Sequence, residues 1–265
     1  FPSANGTRKE HSFGTYYLAD CVLKRIKNTI DPNILHNYLA KIPELDTYYK
    51  IYYNEFRYEL DDFVCELVKI AALCHDIGHG PYSHTFDHFI HDIVSAECKE
   101  HEFRSCMIIS EIVSNDSLLK QLVTKDLQTF IHNLVNPQSQ HISWIYQIVS
   151  NSLNSLDVDK FDYIVRDNRV LGFGLNVNVI QLIQSMLVID DKICYSVSDF
   201  NEIVRLFTAR YEQHKIYCHH TVISIEMMVL EIMHLLDPLL KLSSSVFSMS
   251  IFAQITDSYI FNLLI

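Results

Sequence analysis

The sequence predicts an all-α fold, and two observations carry that expectation. Only six Gly and six Pro punctuate 265 residues, too few breaks for the many turns of a sandwich or barrel. Between those breaks, apolar residues recur three and four apart, the period of one helix face. With 49% of its residues hydrophobic, the chain is long enough to bury a sizeable core. No internal repeat or linker divides it, so residues 1–265 read as a single domain. The chain lacks an initiator Met and stops inside an apolar stretch at Ile265, and it reads as a fragment with its native ends missing.

Residues 1–9 read as a loop. Tyr17, Leu18, Cys21, Val22 and Ile26 predict a helix from near His11 to Asn28. Asp31-Pro32 is a helix start, with Asp as cap and Pro at the first position. Residues 44–58 read as a partly exposed helix or loop, whose tyrosines serve packing or an interface. Phe63, Val64, Leu67, Ile70, Ala71 and Cys74 mark a strong helix from about Leu60 to Ile77, ended by Gly78, Gly80 and Pro81. Shorter helices are expected over 82–93, 101–114, 117–123, 126–135, 139–150 and 158–167. Residues 186–197 break the pattern: two short apolar runs flank Asp190-Asp191-Lys192, which predicts one small β-hairpin near 187–197. Long helices follow over 199–221 and 222–240.

Composition excludes several classes. A net charge of -11 opposes strong binding to nucleic acid, which relies on Lys and Arg against phosphate. The apolar run Ile225–Leu240 is broken by Glu226, Glu231, His234 and Asp237, so it reads as an amphipathic or buried helix and no membrane span is expected. Seven scattered Cys, with no CxxC pair, read as reduced thiols of an intracellular protein, cytoplasmic or nuclear.

The chemistry concentrates in Cys74-His75-Asp76-Ile77-Gly78-His79-Gly80-Pro81-Tyr82-Ser83-His84. In the last turn of an apolar helix, Asp76 would face the negative end of the helix dipole and, buried, would need a cationic partner. A metal ion meets both needs, and His75 offers a nitrogen beside it. His79, four residues on, would share the face of His75 if the helix continued. The plainer alternative is a polar turn with solvated His and Asp. The buried helix before the pair and the Gly-Pro turn after it, with further His close by, favour the metal.

This segment resembles the HD superfamily, and in particular the dNTP triphosphohydrolases of the sterile-alpha-motif-and-HD type and their bacterial dGTPase-like relatives. Three further stretches carry the resemblance: Arg8-Lys9-Glu10-His11-Ser12-Phe13-Gly14, His101-Glu102, and Asp157-Val158-Asp159-Lys160-Phe161-Asp162-Tyr163-Ile164-Val165-Arg166-Asp167. The resemblance implies an HD-domain helical fold with a metal held by His11, His75, Asp76 and Asp159. That mixed donor set suits Fe, Mn, Zn or Ni, or Mg if waters complete the shell.

It also implies that His79, His84, Asp87 and His101 line the reacting phosphates. His101 would protonate the leaving oxygen with Asp87 orienting it, and His84 would stabilise charge on the α-phosphate. Arg8 and Lys160 would hold phosphates, and Tyr163 and Asp167 would meet the sugar. From the residues alone, Arg8 and Lys160 read rather as surface cations, and Tyr163 and Asp167 read equally well as a helix-face pair. His88 and His91 read as surface histidines. A later stretch, Arg210 to Tyr217, resembles the family's helix that contacts triphosphate and sugar. The spacing between these two is one residue shorter here, so one of them is displaced unless the helix bulges.

The implied activity is metal-dependent hydrolysis of deoxynucleoside triphosphates to deoxynucleoside and inorganic triphosphate, by a nucleotide-binding homo-oligomer. The alternatives are an HD phosphohydrolase acting on nucleoside monophosphates or cyclic nucleotides, and a non-catalytic nucleotide sensor.

Overall fold

Helices make up nearly every element of the computed structural model, which describes residues 5–53, 57–94 and 97–262. In chain order they are α1 (Arg8–Thr29), α2 (Pro32–Leu39), α3 (Pro43–Tyr52), α4 (Asp62–Cys74), α5 (His84–Ile93), α6 (His101–Asn115), α7 (Ser117–Leu122), α8 (Lys125–Val135), α9 (Val158–Leu171) and α10 (Val179–Ser185). Strands β1 (Leu187–Ile189) and β2 (Lys192–Cys194) follow, then α11 (Phe200–Tyr217), α12 (His220–Leu240), α13 (Leu242–Ser245), α14 (Met249–Phe252) and α15 (Asp257–Asn262). The chain divides into two compact units, residues 1–74 with 123–213 and residues 75–122 with 214–265.

In the first unit, α1 packs against α4 and α9, burying Leu18, Ala19, Val22, Leu23 and Ile26 along one stripe. The helix begins at Arg8, earlier than the apolar spacing suggests, because a capping box sets its start. The Thr7 hydroxyl accepts from the Glu10 amide at 3.3 Å, and the Glu10 carboxylate accepts from the Thr7 amide at 2.9 Å. Asp31 caps α2 as its sequence indicates, accepting from the Asn33 amide at 2.8 Å. Among the tyrosines after Pro43, Tyr48, Tyr49 and Tyr53 pack against one another while Tyr52 is exposed. Tyr49 is buried, and Tyr48 and Tyr53 both donate to Asp61, at 2.6 and 2.8 Å; residues 54–56 of that stretch lie outside the described residues.

The hairpin forms as expected, with Val188 paired to Ile193. Its turn residues Asp190 and Asp191 both take positive φ, 51° and 62°, the tight two-residue turn that suits the strand twist. The helix expected over 139–150 does not form; only one 3-10 turn, Tyr146–Ile148, occurs there. Trp144, Ile145, Tyr146, Ile148 and Val149 are all buried, so the segment has no solvent face for a surface helix to turn outward. Gln147 replaces part of the helical bonding, donating to the Ile142 carbonyl at 2.7 Å and accepting from the Ile193 amide at 3.0 Å. α10, capped by Asn178, has no counterpart in the sequence-based expectation.

In the second unit, α5 packs on α12, and Phe86, Phe89, Ile90, Met233, Leu242, Val246 and Phe252 form its core. Three short helices after α12 complete this core, and periodicity alone does not predict them. None of the helices is long and apolar enough to cross a membrane. The seven cysteines are thiols, with no disulfide among them.

Candidate metal centre

In the first unit, the start of α1 and the first turn of α9 bring His11 and Asp159 together. His11 Nε2 lies 3.3 Å from Asp159 Oδ1. Two donors bound to one ion at about 2.1 Å, roughly 90–110° apart, stand about 3.0–3.4 Å from each other. The other ring nitrogen, Nδ1, lies 2.8 Å from Asp162 Oδ2. A carboxylate only accepts, so this contact places the proton on Nδ1 and a lone pair on the nitrogen facing Asp159. Arg166 holds Asp162 with two bonds of 2.9 Å. Burial works to raise the Asp162 pKa; the His11 and Arg166 contacts outweigh it and hold the carboxyl below its ordinary value.

α9 itself starts on Asp157, whose carboxylate accepts from the Lys160 amide at 3.0 Å. The Lys160 ammonium reaches Asp157 at 3.0 Å and Asp159 at 3.6 Å. Burial works to lower the Lys160 pKa; the two carboxylates reverse that and hold it above its ordinary value. Tyr163, one turn on, is shifted up, first by burial, with the Arg210 and Lys160 charges pulling the other way. Lys160 and Arg210 thus both act on one tyrosine. Asp167 is half-buried further along α9, and Arg8 stands exposed at the start of α1.

The second unit begins at His75, where α4 has already ended, so His75 and Asp76 sit in a turn after the helix and not in its last turn. The dipole argument therefore applies to a helix end adjacent to Asp76. The physical reason lies in α6. The His75 carbonyl accepts from the Ser105 hydroxyl at 2.6 Å, Ser105 Oγ accepts from the Gly78 amide at 2.8 Å, and the Gly78 carbonyl accepts from Arg104 at 2.8 Å. These bonds take over groups that a continued helix would pair. A Cβ at Gly78 would collide with the His101 carbonyl and the Ser105 amide, so glycine is what lets α6 close on this turn. His75 Nε2 lies 3.4 Å from Asp76 Oδ1, again within about the span of two ligands on one ion. His79 does not share a helical face with His75, yet the turn brings its Nε2 to 3.6 Å from Asp76.

Beside this pair, three imidazoles converge on one carboxylate. The Nδ1 atoms of His84, His101 and His79 lie 3.2, 3.4 and 3.6 Å from Asp87 Oδ2. The His79 and His101 rings stack at 3.8 Å. These four residues form a cluster that could hold a metal ion by the reach of its donor atoms. Arg104, fully buried, pairs with the other oxygen of Asp87 and donates to the Cys98 and Lys99 carbonyls at 2.9 and 2.7 Å. Burial alone would raise the Asp87 pKa; His101, His84 and Arg104 together drive it far below the ordinary carboxylate range. Tyr82 and Ser83, which lead into α5, both take positive φ, 59° and 57°, a strained conformation for non-glycine residues and one that concentrates at functional sites. Asp257 anchors the first, accepting from the Tyr82 amide at 2.8 Å.

His88 and His91 are exposed, as expected. α11 runs to Tyr217 as an uninterrupted α-helix, so no bulge corrects the short Arg210–Tyr217 spacing, and Tyr217 is exposed. Three residues with no role assigned from the sequence matter here: Asp162 and Arg166, which support His11, and Arg104, which supports Asp87. The first two stand four apart in the 157–167 motif, the spacing of a helix-face pair. Arg104 gives no local signal.

The donors are imidazole nitrogens and carboxylate oxygens, the set that binds a divalent transition metal. One of these donors, His11, is held in the tautomer and orientation that such binding requires. On this geometry the residues fit a divalent cation.

The chain resembles known proteins along most of its length. It is 39% identical over 266 residues to the HD domain-containing protein L394 of Acanthamoeba polyphaga mimivirus, covering 100% of this chain and 55% of that protein. It is 34% identical over 263 residues to the deoxynucleoside triphosphate triphosphohydrolase SAMHD1 homolog of Dictyostelium discoideum, covering 97% and 46%. Against human deoxynucleoside triphosphate triphosphohydrolase SAMHD1 the figures are 29% over 247 residues, 84% and 36%. The chain therefore spans about half or less of the length of these relatives. The HD domain model matches residues 8–166, the stretch that contains His11, the His75-Asp76 pair, the three clustered imidazoles and Asp159. With more than half of its length matched, the chain belongs to the HD domain family.

Proposed function

We propose that the chain is a metal-dependent phosphohydrolase that converts a deoxynucleoside triphosphate to the deoxynucleoside and inorganic triphosphate. His11, His75, Asp76 and Asp159 together hold the cation, which is Fe, Mn, Zn, Ni or Mg. The observation that carries this reading is the repeated donor spacing, 3.3 Å in His11–Asp159 and 3.4 Å in His75–Asp76. When bound, the cation supplies a Lewis acid for a phosphoryl oxygen and lowers the pKa of a water.

The chain's own residues do the rest. Asp87, ionised and anchored by Arg104, accepts from imidazole Nδ1–H groups and so turns their Nε2 atoms to exchange with substrate. His101 gives its proton to the 5′ oxygen as the bond between that oxygen and the α-phosphorus breaks and the oxygen of water bonds to phosphorus; the proton that this water sheds passes to solvent, from which His101 regains its own. His79 and His84 meet the charge that develops on the α-phosphate. Lys160, Arg210 and Arg8 neutralise the outer phosphates, and Tyr163 and Asp167 contact the sugar; Tyr217, exposed at the end of an unbulged helix, is left without a role. The triphosphate is favoured over a monophosphate because two cations, Lys160 and Arg210, act around Tyr163.

The proposed enzyme is a homo-oligomer. α11 supports this: besides the buried Leu206 and Ala209, it exposes Phe200 at 65% and Tyr211 at 64%, apolar surface beyond the stripe that its own core covers.

The test is product identity. The purified chain with Mn2+ and each dNTP in turn should release tripolyphosphate and deoxynucleoside, and Asp76→Ala should abolish release without loss of helicity. Orthophosphate as the sole phosphate product would overturn the reading.

A further inference from the structure

The contact that fixes His11 depends on an unusual closeness of α1 and α9. Asp162 lies in α9, one turn before Arg166, and its carboxylate accepts from His11 Nδ1 at 2.8 Å and from two Arg166 nitrogens at 2.9 Å. The same guanidinium donates to the Glu10 carbonyl at 3.0 Å, next to His11 in α1. Asp162 and Arg166 therefore make a bridge from α9 to the backbone and side chain at the start of α1. The bridge needs room, and Gly14 provides it: a Cβ there would collide with Asp162 Oδ1 and stand 2.7 Å from Arg166 Nη2. Gly14 sits inside a helix, where glycine costs about 1 kcal/mol relative to alanine. The close approach of the carboxylate gives that glycine a physical reason.

We infer that Asp162 is the positioning residue for His11 as a metal ligand, held by Arg166 and admitted by the absent side chain at Gly14. This rests on the reading of His11 and Asp159 as metal ligands. Asp162 contacts His11 at Nδ1, the ring nitrogen away from Asp159, and it acts by fixing the ring so that Nε2 points at Asp159 Oδ1, 3.3 Å away. A carboxylate on the far nitrogen both selects the tautomer and makes the near nitrogen a stronger donor.

The test is Mn2+ affinity, measured calorimetrically on the whole chain without nucleotide, with the metal-free melting temperature as a control for folding. Asp162→Asn keeps the shape of the side chain and removes its charge. Gly14→Ala favours the helix and contacts no metal donor, yet its methyl displaces Asp162. Both variants should bind Mn2+ about 10- to 100-fold more weakly, and Gly14→Ala should do so without loss of metal-free helicity. A purely structural role would leave Mn2+ affinity unchanged wherever the fold survives. If Asp162→Asn does not fold, Gly14→Ala decides the question. His11→Ala separates the two levels of the argument. Loss of Mn2+ binding in His11→Ala with wild-type affinity in Asp162→Asn and Gly14→Ala overturns the positioning role and leaves the metal site standing. Wild-type affinity in His11→Ala removes the metal site and the positioning role with it.

Discussion

His11 and the trio of His79, His84 and His101 each lean on an aspartate, but in opposite ways. His11 shares its carboxylate with no other imidazole: Nδ1 lies 2.8 Å from Asp162 Oδ2, and Arg166 donates to that oxygen and to Oδ1, each at 2.9 Å. The trio shares one oxygen of Asp87 at 3.2 to 3.6 Å, while the other is tied to the fully buried Arg104. One short bond fixes a ring in a single tautomer and direction, which is what a metal ligand needs. Three longer contacts to one acceptor cannot all be strong at once, so no ring of the trio is held as tightly as His11. In the proposed enzyme the same residue types are a rigid donor in one place and an acid–base set in the other, and the difference lies in how many rings lean on the supporting carboxylate.

Removing the anchor of the trio should have the largest effect on stability. Arg104→Met leaves Asp87 buried without its cation and strands three backbone carbonyls. The expected loss is about 3–5 kcal/mol in denaturant unfolding. A loss below about 1 kcal/mol would mean that the histidines alone satisfy Asp87, and the contrast with His11 would weaken.

Acid should act on the same anchor. The folded pKa of Asp87 is depressed, so its stabilisation is complete above the unfolded value of about 4 and disappears as pH falls below it. Melting temperature recorded from about pH 6 to about pH 3 should fall more steeply in the wild type than in Asp87→Asn. Parallel curves would count against an ionised, anchored Asp87.

The smallest effect concerns the His11 side. Thr7→Ala removes the capping box at the start of the helix that carries His11 and should cost about 1 kcal/mol. Because Asp162 and Arg166 hold His11 from α9, the loss should appear in stability and not in metal affinity. A matching drop in metal affinity would show that the cap, and not the α9 bridge, orients the ring.

Much of the fold and of the candidate site is legible in the amino-acid sequence. The Asp31-Pro32 start and the Asp190-Asp191 hairpin are local signals, and each appears where its residues place it, whereas the His75-Asp76 pair falls just past the helix end and not inside it. What is not legible depends on distant partners. The helix expected to reach Ile77 stops at Cys74 because Ser105 and Arg104, some thirty positions on, take over the backbone bonds of His75 and Gly78. The segment around Trp144 is buried on all sides, so periodicity carries no direction there and wrongly predicts a helix. Arg104 resembles any surface cation on a helix until its neighbours are known. Asp162 and Gly14 both lie in the motifs that carry the family resemblance, but their meaning is mutual: the glycine makes room for the carboxylate, and neither residue shows that alone.

The central claim is that four residues from separate stretches of the chain hold one cation. Metal content of the purified chain, loaded with Mn2+, dialysed and measured by mass spectrometry, tests it most directly. The wild type should retain a single ion per chain, and alanine at His11, His75, Asp76 or Asp159 should each abolish retention, while alanine at His84 or His101 leaves it in place. Retention in all four ligand variants, or loss confined to the histidine trio, would contradict the account.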